Sequence, residues 1–466
     1  MTNEELSSRI DEYIEKNWEA IVGDIDTLVH IESTEDMAHA AEGAPYGPGP
    51  AKALGAALDL AASMGFDAHN CEGHVGYADF QGESETQIGI IGHMDVVPAG
   101  IGWTMEPFQV NRKEGYLIGR GVLDDKGPSV MALHAMKFWK EQGVSFPYTI
   151  RFIFGANEES GMRDVTYYRQ HFADPAFLFT PDADFPVCYG EKGGYDGHWT
   201  SKPIVDGVIV ELEGGTATNA VPSLAHAVVH ADASKLPAAD AVKIEAEGEN
   251  ARISATGKGG HASRPEGTVN AIGVLVDYLL EHNLCNDDER AFFELTAKLF
   301  ADYYGSGLGI DSEDEYFGKL TVIGGTARLE DARLTQTIDI RFPTSITDTE
   351  ITERLTALGA TIGADAGNTL LMEPFLVKPD SPMIQALLNA YNEATGEHAE
   401  PFTMGGGTYA REFTSGASFG PNRAWVATPD WVGTEHGPDE GISEELLKSA
   451  LKIYALTINE LMKLEY

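Results

Sequence analysis

The sequence predicts an α/β fold in two domains, the first interrupted by the second. Three observations carry this reading. Short apolar strands alternate with helical stretches up to about residue 190. The texture then changes to antiparallel-looking strands, two long helical runs and glycine-rich turns. From about Ser381 the first pattern returns.

In chain order, Leu6, Ile10, Tyr13, Ile14, Trp18, Ile21 and Ile25 recur at helical spacing over residues 3–31, and Thr2-x-x-Glu5 offers a capping box at the start. Residues 51–64 predict a second helix, 87–91 a strand, 128–142 a helix, 148–154 an aromatic strand, 164–171 a helix and 176–180 a short strand. Such alternation indicates a layered domain with a largely parallel sheet. Beyond Gly190-Glu191-Lys192-Gly193-Gly194, residues 205–213, 242–256 and 334–342 read as antiparallel strands, and 270–283 and 289–303 as helices. A helix around Met383–Tyr391 and a closing helix over 444–464 complete the chain. The expected division is 1–191 with 380–466 as one domain and 192–379 as an α+β insertion.

Composition narrows the function classes. The chain has 466 residues, 43% hydrophobic and 23% charged, which suits a globular protein with ample core. No apolar run approaches the ~18 residues needed to span a bilayer, and the acidic start Met1-Thr2-Asn3-Glu4-Glu5-Leu6 has no apolar signal core, so a cytoplasmic location is expected. Net charge is −41, which argues against nucleic acid or an anionic membrane as partner. It suits a carboxylate-rich solvated surface, or steering of cations toward a cleft. The three cysteines, Cys71, Cys188 and Cys285, are scattered and form neither a disulfide framework nor a CxxC metal site.

The chemistry gathers behind the apolar run Ile88-Gly89-Ile90-Ile91-Gly92, which ends in His93-Met94-Asp95. A histidine and a carboxylate two residues apart on an extended chain share a side, the arrangement by which a second carboxylate orients a metal-bound imidazole. His230-Ala231-Asp232 has the same spacing but no acidic company and reads as surface. After the first pair come Asp124, Glu158-Glu159, Asp182 and His436. Most of these stand at or just after a predicted strand end, the edge where open α/β sheets build sites. Each has an ordinary reading alone: a solvated turn for Asp124-Asp125, a helix start for Glu158-Glu159, a cap for Asp182, a loop histidine for His436. Together they form a histidine–carboxylate set suited to two metal ions sharing a carboxylate.

His93-x-Asp95, Gly119-Arg120-Gly121-x-x-Asp124-Asp125-Lys126-Gly127-Pro128, Asn157-Glu158-Glu159-Ser160-Gly161 and Thr180-Pro181-Asp182-Ala183-Asp184-Phe185-Pro186 resemble the co-catalytic zinc peptidases, which include carboxypeptidase G, aminoacylase, carnosinase and the dipeptidase V group. Gly214-Gly215-Thr216-Ala217-x-Asn219, Gly259-Gly260-His261-Ala262-Ser263-Arg264-Pro265 and Gly405-Gly406-Gly407-Thr408-Tyr409 look most like the dipeptidase V group. The resemblance implies a two-domain di-zinc peptidase fold, with an α/β catalytic domain and an inserted α+β lid domain. It implies two Zn2+ ions, with Mn2+ or Co2+ also compatible with the ligands. Asp124 would bridge them, His93 and Asp182 completing one shell, Glu159 and His436 the other. Asp95 would orient His93, and Glu158 would be the general base acting on a bridging hydroxide's precursor water. A cis peptide is implied at Asp124-Asp125. His261 would stabilise the oxyanion, while Asn219, Arg341, Gly406, Gly407 and Thr408 would contact substrate. Where the family has an acidic residue this chain has Ile101, expected to touch packing or specificity.

The expected activity is hydrolysis of short peptides, dipeptides with free termini above all, by a monomer. A related N-acyl-amino-acid deacylase is the alternative. A serine hydrolase is a more distant one: Gly416-Ala417-Ser418-Phe419-Gly420 fits a nucleophile elbow, with Asp430 and His436 following in order. Pro421 directly after it leaves no room for the helix an elbow requires.

Overall fold

The computed structural model describes residues 2–466. The chain forms two compact units. One takes in the chain up to Tyr189 together with Leu376–Phe402 and Gly407–Tyr466, and the other takes in Gly190–Phe375 and Thr403–Gly406.

The first unit opens with α1 (Asn3–Val29), capped as the sequence indicates: Glu5 N–H donates to Thr2 Oγ1 at 3.2 Å and Thr2 N–H to Glu5 Oε2 at 2.9 Å. Next come α2 (Pro48–Ser63), β1 (Asp67–Cys71), β2 (Val75–Phe80), β3 (Gln87–His93), α3 (Lys126–Glu141), β4 (Thr149–Gly155), α4 (Arg163–His171), β5 (Phe177–Thr180) and β6 (Cys188–Glu191). In the second unit lie β7 (Gly193–Thr200), β8 (Ile209–Gly214), β9 (Leu224–Val229), β10 (Val242–Glu247), β11 (Asn250–Thr256), α5 (Ala271–Glu281), α6 (Asp287–Leu299), β12 (Ala327–Glu330), β13 (Arg333–Phe342), α7 (Asp348–Ala360) and β14 (Asp365–Met372). The chain then returns to the first unit with α8 (Pro382–Thr395), β15 (Gly416–Ser418) and α9 (Glu444–Leu461).

Seven of the nine strands of the first sheet run in the order β1-β2-β4-β3-β5-β15-β6. Only the centre is parallel: β4, β3, β5 and β15 pair in one direction, while β1, β2 and β6 pair antiparallel at the flanks. The expected largely parallel sheet therefore describes its middle. Both faces are covered. Ile91, Ile153 and Leu178 pack with Val165 and Tyr168 of α4 on one side. On the other, Phe179 stacks on Tyr454 of α9 at 5.6 Å. A sheet buried on both faces calls for largely apolar strands, and all seven residues of β4 are buried, its Arg151 neutralised by Asp79 at 2.7 Å.

The second unit's main sheet is antiparallel, with eight of its nine strands in the order β10-β11-β9-β8-β12-β13-β7-β14. Alternation along β13 sends Leu334, Ile338, Ile340 and Phe342 into a core shared with α5, α6 and α7. Asp339 and Arg341 consequently fall on the opposite face. Three sequence expectations are corrected here. Residues 242–256 are a hairpin rather than one strand, turning at Gly248, which has φ +65°. The strand expected from 205 begins at Ile209, and the helix expected to 303 ends at Leu299. Helix α7, unanticipated, carries a capping box between Thr347 and Glu350.

Gly92 shows how tightly the site's first strand is held. A Cβ there would lie 2.0 Å from Ser129 Oγ and 2.5 Å from Asp125 Oδ2, so only glycine lets β3 meet the start of α3. Gly92→Ala is expected to lower stability by about 1–3 kcal/mol, the usual range for overpacking. Ser129→Ala in the same chain should recover part of it, because the nearest clash is the hydroxyl. Thermal unfolding of the single and double variants checks both.

Candidate metal centre

The C-terminal ends of the parallel strands assemble the site. His93 closes β3 beside Gly155 of β4, Glu158 and Glu159 follow β4, and Asp182 follows β5. Asp124 arrives differently. It follows no strand of the main sheet but stands just ahead of α3, joined to Asp125 by a cis peptide. His436 comes from a loop near the far end of the chain and has φ +62°.

These residues converge. His93 Nε2 lies 2.9 Å from Asp124 Oδ1 and 3.8 Å from Asp182 Oδ2. His436 Nε2 lies 3.0 Å from Asp124 Oδ2 and 3.0 Å from Glu159 Oε2. The two oxygens of Asp124 thus face two different imidazoles. Ligand atoms of His93, Asp124 and Glu159 fall within 4.8 Å of one another, and so do those of His93, Glu158 and Asp182. Glu158 is close enough to be a donor itself.

The electrostatics fit a cation. Glu158, Asp182 and Glu159 are pushed up by burial first and by neighbouring carboxylates next, Glu158 and Asp182 well above the usual range. Burial opposes the charge of Asp124, but hydrogen bonds from His436 and His93 hold it below the usual range. The same contacts, to Asp124 first and Glu159 next, push His436 up to about 11. Were all four carboxylates ionised, two imidazoles could not balance them, and divalent ions that accept oxygen and imidazole donors would supply the missing charge.

Several of these segments are fixed through their backbone. His93 N–H donates to Asp125 Oδ2 at 3.2 Å. Asp95 does more than the sequence suggests. The His93 ring meets the Asp95 carbonyl at 3.0 Å through Nδ1, with the carboxylate farther, at 3.6 Å. That carboxylate instead accepts the Glu158 and Glu159 N–H groups, each at 3.1 Å. Asp164, which sequence reasoning did not single out, accepts Ala156 N–H at 2.6 Å, Asn157 N–H at 2.9 Å and the Tyr409 hydroxyl. No local motif marks it, because its partners lie on the preceding turn and far along the chain.

The second unit brings together another expected group. His261 Nδ1 accepts Ser263 N–H at 3.1 Å and meets the Ser263 hydroxyl at 2.8 Å. An accepting Nδ1 places the ring proton on Nε2. Burial first and the Arg341 charge next push His261 below its usual value, favouring that neutral form. Arg341 is clamped by Asp339 at 2.9 and 2.7 Å and reaches the Gly405 carbonyl at 3.4 Å. The Asn219 carbonyl accepts Ala262 N–H at 2.9 Å.

The remaining expectations separate. Gly406 borders open space, whereas a Cβ on Gly407 would lie 2.6 Å from Arg411 Nη1. Thr408 is buried, its hydroxyl accepting Ala410 N–H at 3.1 Å and meeting Ser418 Oγ at 2.9 Å. Ser418 is buried inside β15 with no helix after it, and His436 is engaged by Asp124 and Glu159, so the nucleophile elbow is not formed. Ile101 is 94% exposed, which overturns a packing role. His230 and Asp232 are exposed, as read.

Because both Asp95 oxygens hold the Glu158-Glu159 turn, Asp95→Asn should lower affinity for divalent ions by about 10–100-fold, the usual cost of losing such a support. Competition against a chelator of known affinity measures it, and unchanged affinity would remove that role from Asp95.

Comparison with known proteins gives the chain a family. The profile of peptidase family M20/M25/M40 matches residues 89–460. A β-Ala-Xaa dipeptidase of Lactobacillus delbrueckii subsp. lactis is 33% identical, the alignment covering 97% of this chain and 98% of that protein. Among solved structures, a di-peptidase from Saccharomyces cerevisiae superposes with a TM-score of 0.62 at 13% identity, covering 99% of each chain. Human carnosine dipeptidase 1 gives 0.57 at 15% identity, covering 98% of this chain and 100% of that one. The chain belongs to peptidase family M20/M25/M40 and is a metallopeptidase.

Proposed function

We propose that this chain is a dipeptidase that hydrolyses short peptides with free amino and carboxyl termini, using two divalent ions and a glutamate base. The observation that carries the reading is Asp124, whose Oδ1 faces His93 and whose Oδ2 faces His436. His93, Asp124 and Asp182 would hold one ion, and Asp124, Glu159 and His436 the other. Zinc, manganese and cobalt all suit these donors. Bound there, two dications would acidify a water and polarise the scissile carbonyl.

The chain's own groups do the rest. Glu158 takes the proton from the attacking water and returns it to the departing amine, a task for a carboxylate adjacent to the ligands yet spare. Its backbone is held by Asp95, so the carboxylate keeps its place. The Nε2–H of His261 is assigned to the developing oxyanion, where a pre-set donor contributes strongly. Arg341 is assigned to the substrate carboxylate, with Asn219 and the Gly406–Thr408 segment as further contacts. The 33% identical β-Ala-Xaa dipeptidase supports the substrate class.

Glu158→Gln should cut kcat by about 10²–10⁴-fold, the usual range for a general base, with metal content unchanged. Unaltered turnover would remove Glu158 from the role. Dialysis against a chelator should abolish hydrolysis, and Zn2+, Mn2+ or Co2+ should restore it. Activity that survives chelation but is lost to a serine-directed reagent would defeat the metal reading. A panel of dipeptides and N-acetyl amino acids settles the substrate: preference for N-acetyl compounds would make the enzyme a deacylase. Arg341→Ala should raise KM for dipeptides and leave that for their C-terminal amides little changed.

A further inference from the structure

We propose that the buried Arg120–Glu440 pair is a positioning device for the His436 half of the metal centre, locking Asp124 and the His436 loop to each other. It rests on the two-ion reading above.

The pair is brought together by a small three-stranded sheet, in which Gly441–Ser443 lies antiparallel to Tyr116–Ile118. Gly441 faces Ile118 there, so residues just beyond each strand, Arg120 and Glu440, meet although 320 positions apart. Glu440 is 0% exposed and Arg120 1%. The carboxylate is saturated from one side of the centre. Its Oε1 accepts the N–H groups of Gly121 at 2.9 Å, Leu123 at 3.1 Å and Asp124 at 3.2 Å. Its Oε2 takes Nη1 of Arg120. The guanidinium completes the link from the other side: Nη2 donates to the His436 carbonyl at 3.1 Å and approaches the Pro98 and Ala99 carbonyls at 3.4 Å. The Trp103 ring covers it at 5.3 Å.

The neck of the His436 loop is tied by Asp439, which accepts the Thr104 N–H and hydroxyl at 2.9 and 2.8 Å, and the Arg120 link adds a hold on His436 itself. His436 has a left-handed backbone, and among the described residues its ring meets the carboxylates of Asp124 and Glu159. His93, by contrast, ends a buried central strand and has Asp125 and Asp95 as separate supports. The two halves of the centre are therefore braced by different groups. A buried ion pair is seldom retained for stability alone, since apolar residues of similar volume often do as well. This one hydrogen-bonds the backbone of a ligand at each end, which apolar residues cannot do.

Arg120→Lys keeps a positive charge beside Glu440 but cannot also span to the His436 carbonyl. Metal-free protein is titrated with Zn2+ against a competing chelator, with His436→Ala as reference. The wild-type chain should bind two ions and His436→Ala one tightly. Arg120→Lys should weaken one ion about 10–100-fold and leave the other unchanged. In the His436→Ala background, Arg120→Lys should leave the remaining ion's affinity as it was. Glu440→Gln, which keeps an oxygen for the three amides and loses the charge, should weaken the same ion and provides a second variant if the first unfolds. If both variants retain both ions at wild-type affinity, or weaken both ions equally, the pair has no such role. If the wild-type chain binds fewer than two ions, it is the two-ion reading that fails.

Discussion

The structure depends on holding several carboxylates close together, out of water and pointed at one small volume. Like charges at this spacing repel, and burial penalises each of them. The chain meets the problem with one device used repeatedly. A carboxylate outside the donor set accepts the backbone N–H of a residue inside it: Asp125 for His93, Glu440 for Asp124, Asp95 for both Glu158 and Glu159. Backbone amides are rigid donors that satisfy a buried carboxylate without adding a competing side chain. The same bonds fix the proposed ligands from behind, so their donor atoms would not have to find their geometry when an ion arrives.

That device explains why the ligands can be spread over the chain. His93, Glu158-Glu159 and Asp182 share the C-terminal edge of the parallel strands, where side chains leave the sheet together. Asp124 and His436 do not come from that edge, and each needs its own anchorage. Asp124 is seated by the tight approach of β3 to α3, which Gly92 permits. His436 is reached through the small sheet that pairs residues 116–118 with 441–443.

Much of this was legible in the sequence, and the gaps have physical causes. The helices α1 and α9 announced themselves because one face of each carries apolar residues at regular spacing against a core, whereas α3 is buried nearly all round. Helix α7 did not, although Thr347 and Glu350 form the same capping box that marked α1. Only Ile351, Leu355 and Gly359 of it are buried, too thin a stripe to read. The hairpin β1–β2 escaped because β1 is a largely exposed edge strand of polar residues. In the proposed site, the gathering of His93, Asp124, Glu158, Glu159, Asp182 and His436 was readable because histidine and acids recur there at strand ends and loops. Their supports were not. Asp164, Arg120 and Glu440 act on main-chain atoms, and a main-chain amide leaves no mark in a sequence. Asp95 was found as a partner of His93, yet its carboxylate serves the Glu158-Glu159 turn more directly than the ring.

The second unit applies the same economy to a cation. Arg341 does not stand as a free charge. Asp339 grips it through two nitrogens, and Asp196 lies opposite Asp339 on the neighbouring strand. Asp196 Oδ1 is buried without a hydrogen-bond partner, and burial first, then the Asp339 charge, push its carboxyl up to about 6. Below that value the group is neutral and the cluster carries one negative charge against one positive. Above it a second negative charge stands beside the guanidinium. Under the role proposed for Arg341, a substrate carboxylate would meet an arginine that is aimed by Asp339 and partly neutralised by it. Recognition would then rest more on the fixed geometry of the remaining N–H donors than on net attraction, which is how a clamped arginine can select a planar carboxylate among other anions.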